Sequence, residues 1–343
     1  MRENKIFYLS ASITTIMRKK LIRSILTLCF CTVAFSNVNA QLGQSREYCE
    51  PPGWSVGMSF GLLDLWGDVG TQKVMDHYTN KKYFEKPHFM GGVFCRYVPH
   101  PAIGIRLGFE YGTLFADDAW NKQLADKAPT VEDDAYQRYL RNLSVKANTW
   151  EAKLLFEISP MRMNYTSASA RKRFQPMLLF GVAYMHFKPT AKYIDKAGND
   201  RGYINLADLD IEGAGAPASI LPNAPEKINL WQVAIPMGIG VKWDIGRQLA
   251  LGIEYMYRMT FTDYLDGVSN KYVDKSVYQA LFPNDPSKAD LAFEMQDRSF
   301  LIDPLKSQTP GSMRGNPSVK DGYSTFGISF MFKIRNRKNP WWF

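Results

Sequence analysis

Apolar residues recur at every second position in eight separate stretches of this chain, the period expected of a strand whose two faces meet different surroundings. In the clearest stretch Phe326, Ile328, Phe330, Phe332 and Ile334 share one face, and Gly327, Ser329, Met331 and Lys333 share the other. From Ile103 onward, Ile105, Leu107, Phe109 and Tyr111 oppose Gly104, Arg106, Gly108, Glu110 and Gly112. Trp231 to Trp243 and Leu249 to Tyr257 repeat the pattern against Gly238, Gly240, Lys242 and Asp244, and against Gly252, Glu254 and Arg258. Four further stretches follow it: Trp54–Leu62, His88–Val98, Leu143–Ile158 (with Trp150, Leu154, Phe156 and Ile158 outward) and Phe174–Phe187.

An even number of such strands closes into a cylinder with no unpaired edge, and hydrocarbon tolerates no unpaired backbone. The face opposite the apolar stripes carries Arg96, Arg106, Glu110, Glu151, Lys153, Glu157, Lys242, Asp244, Glu254 and Arg258, five acids and five bases among glycines. Balanced charges on small-residue walls predict a narrow lumen closed by ion pairs. A soluble sandwich or lipocalin-like barrel, with its apolar face inward, would not set so many glycines and charges opposite bulky aromatics. Each charge turned to lipid at mid-depth would cost about 2–4 kcal/mol, so the register is strongly specified. The expectation is an all-β fold, an eight-stranded antiparallel transmembrane β-barrel. A mean hydropathy of -0.27 does not oppose this, because alternating strands average out; it argues only against a bundle of membrane helices.

The connections alternate in length. Short ones join strands two and three at Val98–Pro101 and six and seven at Asp244–Arg247, with Ser159–Lys172 of moderate length. Long ones run over residues 63–87, 113–142, 188–229 and 262–320. Outer-membrane barrels have short periplasmic turns and long extracellular loops, which predicts an outer-membrane chain with both termini in the periplasm. Short helices are expected within the loops near Ala135–Leu140 and Lys275–Phe282.

Residues 1–40 read as a signal peptide: Arg18, Lys19, Lys20 and Arg23, an apolar run from Ser24 to Phe35, and small residues before a cleavage site after Ala40. A start at Met17 gives a signal of more usual length. Residues 41–343 then form a single barrel domain. Removing Arg2, Lys5, Arg18, Lys19, Lys20, Arg23 and Glu3 leaves 36 basic against 32 acidic groups, so the formal charge drops from +9 to +4. Most of the basic excess belongs to the signal, and no nucleic-acid partner is expected. Of the four cysteines, Cys49 and Cys95 survive cleavage, bridged or as free thiols.

Chemistry is sparse. Gly57-Met58-Ser59-Phe60-Gly61 spells a nucleophile elbow but lies inside an alternating strand, not at a strand–turn–helix. His77, His88, His100 and His186 are scattered, and a barrel lipid hydrolase built on His186 or His77 with a loop serine is the weakest reading. Asp263, Asp266 and Asp274 lack the spacing of a calcium loop and fit turn formation better. No enzyme activity, cofactor, metal or small-molecule substrate is expected. A basic rim at the inferred periplasmic level comprises Arg162, Arg171, Lys172, Arg173, Arg247, Lys333, Arg335, Arg337 and Lys338, followed by the tail Pro340-Trp341-Trp342-Phe343. This rim suits lipid headgroups or an acidic partner.

Several stretches resemble the PorG-like outer-membrane barrel proteins of the type IX secretion machinery in Bacteroidetes-type bacteria. They are Gly61 to Asp68; Arg141-Asn142-Leu143 with Trp150-Glu151; Leu209 to Gly213; Ala234 to Lys242; Glu254 to Arg258 with Thr260 to Ser269; and Arg314-Gly315-Asn316. Gly267 stands where that family has a second aspartate, and Ile211 where it has threonine. The resemblance implies a non-enzymatic component of the machinery that associates with its periplasmic ring proteins and is not the conduit. The basic rim with Trp341 and Trp342 is then the expected partner surface. A small adhesin or porin-like barrel is the alternative.

Overall fold

The computed structural model describes residues 53–71, 88–163, 173–195, 198–245, 248–303, 305 and 307–334. The strands are β1 (Gly53–Trp66), β2 (Phe89–His100), β3 (Ile103–Asp117), β4 (Ser144–Ile158), β5 (Phe174–Ile194), β6 (Asp200–Asn205), β7 (Trp231–Asp244), β8 (Leu249–Thr260) and β9 (Gly322–Lys333). All but β6 form one closed antiparallel cylinder. Neighbours pair in chain order, β4 pairs with β5, and β9 returns to β1 with Ser59 opposite Ser329. Each barrel strand therefore has two partners and the cylinder has no edge. No helix among the described residues is long and apolar enough to cross a membrane.

Side chains alternate across the wall as the sequence pattern predicts. Val93, Leu107 and Ile239 point outward and are each 61% exposed, whereas Arg106 on the inner face is 2% exposed and Arg258 and Lys242 are fully buried. The outward aromatics gather into two rings. Trp54 packs on Tyr97 near the short turns, with Phe174 and Trp243 exposed at the same level. Trp150, Tyr184, His186 and Trp231 stack together toward the long loops. Along β7 the two rings are twelve residues apart, Trp231 to Trp243, about 28 Å along the axis at a tilt of about 45°, close to the apolar band of an outer-membrane barrel.

Pro236 sits within β7 without breaking it. It faces Gly181 of β5, where the β5–β7 ladder skips two positions between Phe180 and Ala183. The missing N–H costs one bond there rather than the strand.

Several strands outrun the stretches read from the sequence: β1 reaches Trp66, β3 reaches Asp117 and β5 reaches Ile194. In these extensions the polarity of the wall inverts. Leu63, Leu65, Leu114 and Phe187 point inward at 0–1% exposure and join Trp120, Tyr264, Leu265 and Tyr323 in an apolar core beneath the loops. Above the two rings of aromatics the chain behaves as a water-soluble protein, with oil inside.

The long loops fold. They contain α1 (Lys122–Ala125), α2 (Asp134–Arg141), α3 (Lys275–Leu281) and α4 (Pro286–Gln296). The sequence indicates α2 and α3; α4 escapes it because its apolar residues follow no helical face, although Pro286 at its first position and Asp285 capping Lys288 mark its start. Strand β6 was also unforeseen; it pairs only with the overhang of β5, and both pack with α3 and α4 around Ile211, Tyr278, Ala289 and Met295.

Candidate functional site

The lumen holds three charged layers. Nearest the loops, the Arg258 guanidinium lies 2.8 Å from Glu151 and 3.2 Å from Glu110, and Lys153 Nζ lies 2.5 Å from Glu110 and 3.1 Å from Glu151. Tyr323 donates to Glu151 at 2.5 Å and Ser59 to Glu110 at 2.6 Å. Below them Arg106 bridges Glu157 (2.5 Å) and Glu254 (2.8 Å), Arg96 also pairs with Glu157, and Ser329 donates to Glu254 at 2.7 Å. Lys242, fully buried, adds a third cation near Glu157. At the short-turn end Asp244 receives Lys333 at 2.6 Å and Gln175 at 2.9 Å, with Arg162 at 3.8 Å.

Glycine makes the middle layer fit, since a Cβ on Gly104 would stand 2.9 Å from both Arg96 Nη2 and Glu157 Oε2. Arg106 also lies over the Phe94 ring at 4.4 Å, and Arg258 over the Tyr323 ring at 5.2 Å. The structure thus brings together all ten charged residues assigned to the lumen by strand parity. Their partners come from strands far apart in sequence, which parity alone does not reveal. Beside Ser59, Glu110, Lys153 and Glu254 the network leaves a small void of about 30 Å³, room for a water molecule or two and for nothing the size of a cargo protein. A water-filled channel would leave its lining accessible; here Glu151, Glu157, Lys153, Arg96 and Arg106 are each at most 4% exposed.

The proposed partner surface is only partly described. Arg173 is exposed at the short-turn end, as expected. Arg162 is not on that surface: it is 1% exposed and turns into the mouth of the lumen toward Asp244, because Pro160–Arg162 forms a 3-10 turn that folds beneath the barrel. Lys333 likewise belongs to the Asp244 layer. Arg171, Lys172, Arg247, Arg335, Arg337, Lys338, Trp341 and Trp342 lie outside the described residues, as do residues 1–40, where a signal peptide is expected, and Cys49. Cys95 is a free thiol on the outer face of β2.

The second candidate region is the cap made by the loops. Glu212, in the left-handed region (φ 64°), is its hub. Its carboxylate accepts from Arg314 Nη1 (2.6 Å), the Ser269 and Asn270 N–H groups (3.0 and 2.7 Å) and the Tyr264 hydroxyl (3.3 Å), while its own N–H donates to Tyr278 Oη. A residue of loop three thereby staples both ends of loop four. Arg141 makes a two-pronged pair with Asp118 (2.8 and 2.9 Å) and donates to the Arg314 and Asp68 carbonyls. Burial works against the Arg141 charge, but the adjacent Asp118 holds its pKa above the ordinary value. Between α2, loop four and the rim of the barrel lies an open cavity of about 570 Å³, lined by Trp66, Asp68, Arg138, Tyr257, Tyr272 and Asn316 among others.

Ser59 and His186, the described residues of the catalytic alternative, do not come together. Ser59 points into the lumen and is bonded to Glu110, whereas His186 stacks on Trp150 and Trp231 on the outer wall, on the opposite side of the sheet. His77 lies outside the described residues. Asp274 is used as the N-cap of α3, accepting from Ser276 N at 2.9 Å. Among the described residues no three His, Cys, Asp or Glu side chains converge as metal ligands.

A domain family of unknown function, DUF6089, matches residues 223–289, from the approach to β7 through β8 into α4. Comparison with curated protein sequences finds no match. Solved structures similar to this chain include Ail, the attachment invasion locus protein of Yersinia pestis, at 9% identity and a TM-score of 0.34, covering 83% of this chain and 100% of Ail. Neisserial surface protein A aligns at 9% identity and 0.32, covering 82% and 97% of the two chains. The outer membrane protein OprG of Pseudomonas aeruginosa aligns at 9% and 0.31, covering 85% and 100%.

Proposed function

We propose that this chain is a non-enzymatic outer-membrane component of the type IX protein secretion machinery, a rigid post that holds or organises the periplasmic ring proteins. The observation that carries the non-conduit role is the filled lumen: a cylinder packed with buried ion pairs has no room for cargo, and what it offers is a stiff wall and two differently built ends. The two rings of outward aromatics and the apolar belt between them support a membrane setting, with outer-membrane lipid as the surrounding partner. The short-turn end, with Arg173, both ends of the barrel chain and the basic residues that follow Lys333, is the end assigned to the periplasm and to the ring. The link to type IX secretion rests on the resemblance of Gly61–Asp68, Thr260–Ser269 and Arg314–Asn316 to the PorG-like proteins.

Deleting the gene is expected to abolish export of type IX cargo while other barrels assemble normally. Unchanged export in the deletion strain would reject the secretion role. A second reading, a small adhesin, is favoured by the folded cap, whose buried Glu212–Arg314 staple presents a fixed surface at the long-loop end. In that case the deletion strain exports normally and loses attachment.

A further inference from the structure

We propose that Asp263, Asp266 and Asp321 form a proton-binding latch that holds the loop cap closed in acid and loosens it as the medium approaches neutrality. The three carboxylates lie where β8 ends and β9 begins, at 4%, 1% and 3% exposure. Asp266 Oδ2 and Asp321 Oδ1 flank one backbone position, 2.6 and 2.8 Å from where a Cβ on Gly67 would be, so only glycine fits between them. Asp266 accepts from the Val69 and Val268 N–H groups and Asp321 from Leu265 N, each at 2.9 Å, which ties the exit of β1 to loop four. Asp263 is different: neither of its oxygens meets a donor in hydrogen-bonding geometry, and the nearby Ser269 hydroxyl only tempers its proton affinity.

The charges facing this group do not neutralise it. Asp68, from the exit of β1, adds a fourth carboxylate. Arg141 of α2 is committed to Asp118, and Arg314 to Glu212. Lys320 is exposed and donates to the Pro317 carbonyl, while Tyr257 and Tyr264 are neutral phenols. Buried like charges without a cation hold protons instead. Burial, and then Asp68, push Asp266 up to about 7; burial likewise lifts Asp263 to about 7; burial with Asp266, Asp263 and Asp68 raises Asp321 well above the ordinary value. Because these groups bind protons more tightly in the closed cap than when exposed, their full stabilisation exists below the ordinary aspartate pKa of about 4. It is lost progressively as pH rises toward about 7 and is flat above.

The test is amide exchange on the full chain in lipid nanodiscs from about pH 4.5 to pH 8, corrected for intrinsic rates and referenced to wall amides of β3. The expected result is that protection of Leu265 and Val268 falls by about tenfold per pH unit, or more steeply, up to about pH 7 and then levels, since each released proton contributes one factor of ten. Asp263→Asn and Asp321→Asn should each flatten the slope, with β3 protection showing that the barrel is intact. A flat profile in the unmodified chain, or an unchanged slope in both variants, overturns the latch. So does restoration of protection at pH 8 by millimolar calcium chloride, which would make a cation the ligand.

Discussion

Replacing Arg258 by Met removes one of the two cations, Arg258 and Lys153, that touch both Glu110 and Glu151, and the structure fixes what is left behind. Glu151, fully buried, keeps Lys153 at 3.1 Å and the Tyr323 hydroxyl at 2.5 Å; Glu110 keeps Lys153 at 2.5 Å and Ser59 at 2.6 Å. Two largely buried carboxylates then share one ammonium. Breaking a buried pair from one side typically costs about 3–5 kcal/mol, and the remaining Lys153 places this change near the lower end, about 3 kcal/mol. Combining it with Glu151→Gln restores neutrality, leaving Lys153 with Glu110, and should bring the barrel back to within about 2 kcal/mol of the unmodified chain. Equilibrium urea unfolding in phospholipid vesicles, followed by tryptophan fluorescence and by the heat-dependent gel mobility of the folded barrel, measures all three proteins. A loss below about 1 kcal/mol for Arg258→Met, or a double variant as unstable as the sum of its parts, would refute the view that the lumen is a neutralised, buried network.

The remaining expectations concern other parts of the molecule. Arg314→Met strands the Glu212 carboxylate in the cap and should cost the cap, not the barrel, about 2–4 kcal/mol; limited proteolysis should then cut loops three and four sooner while the barrel core keeps its folded gel mobility. Gly181→Ala places a Cβ 2.0 Å from the Leu154 carbonyl across the β4–β5 pairing, and should lower urea stability by about 1–3 kcal/mol or more. Asp274→Ala removes the N-cap of α3 and should weaken that helix by about 1 kcal/mol, read as faster amide exchange at Ser276 and Val277. In planar bilayers the purified barrel should show no porin-scale conductance, and steady unitary currents would contradict the filled lumen.

The wall of the barrel was legible in the sequence and the cap was not, for physical reasons. A strand between lipid and a charged lumen must alternate strictly, so parity alone places Arg106, Glu151 and Arg258 inside. It could not tell which cation meets which acid, because Arg106 and Glu254 are 148 positions apart and register is set only once the cylinder closes. Alternation stops being informative past Leu62, where Leu63 and Leu65 turn inward and the outside becomes aqueous. The hub Glu212 gave no chemical signal because its partners Ser269, Asn270 and Arg314 lie 57 to 102 positions away. Arg162 misled because a basic residue beside a short turn is usually solvated, whereas here a carboxylate waits at the barrel mouth.

The reversal of sidedness along β1 gives the molecule a depth gauge. Phe60 and Leu62 face out while Leu63 and Leu65, one step on, face in; no sliding of the cylinder along the bilayer normal can satisfy both halves at any other height. Pushed deeper, the outward polar positions Lys146 and Asn148 of β4 would enter oil; lifted, Phe60 would enter water. The long-loop end is therefore held at one fixed elevation above the lipid, and anything that meets it does so at that height.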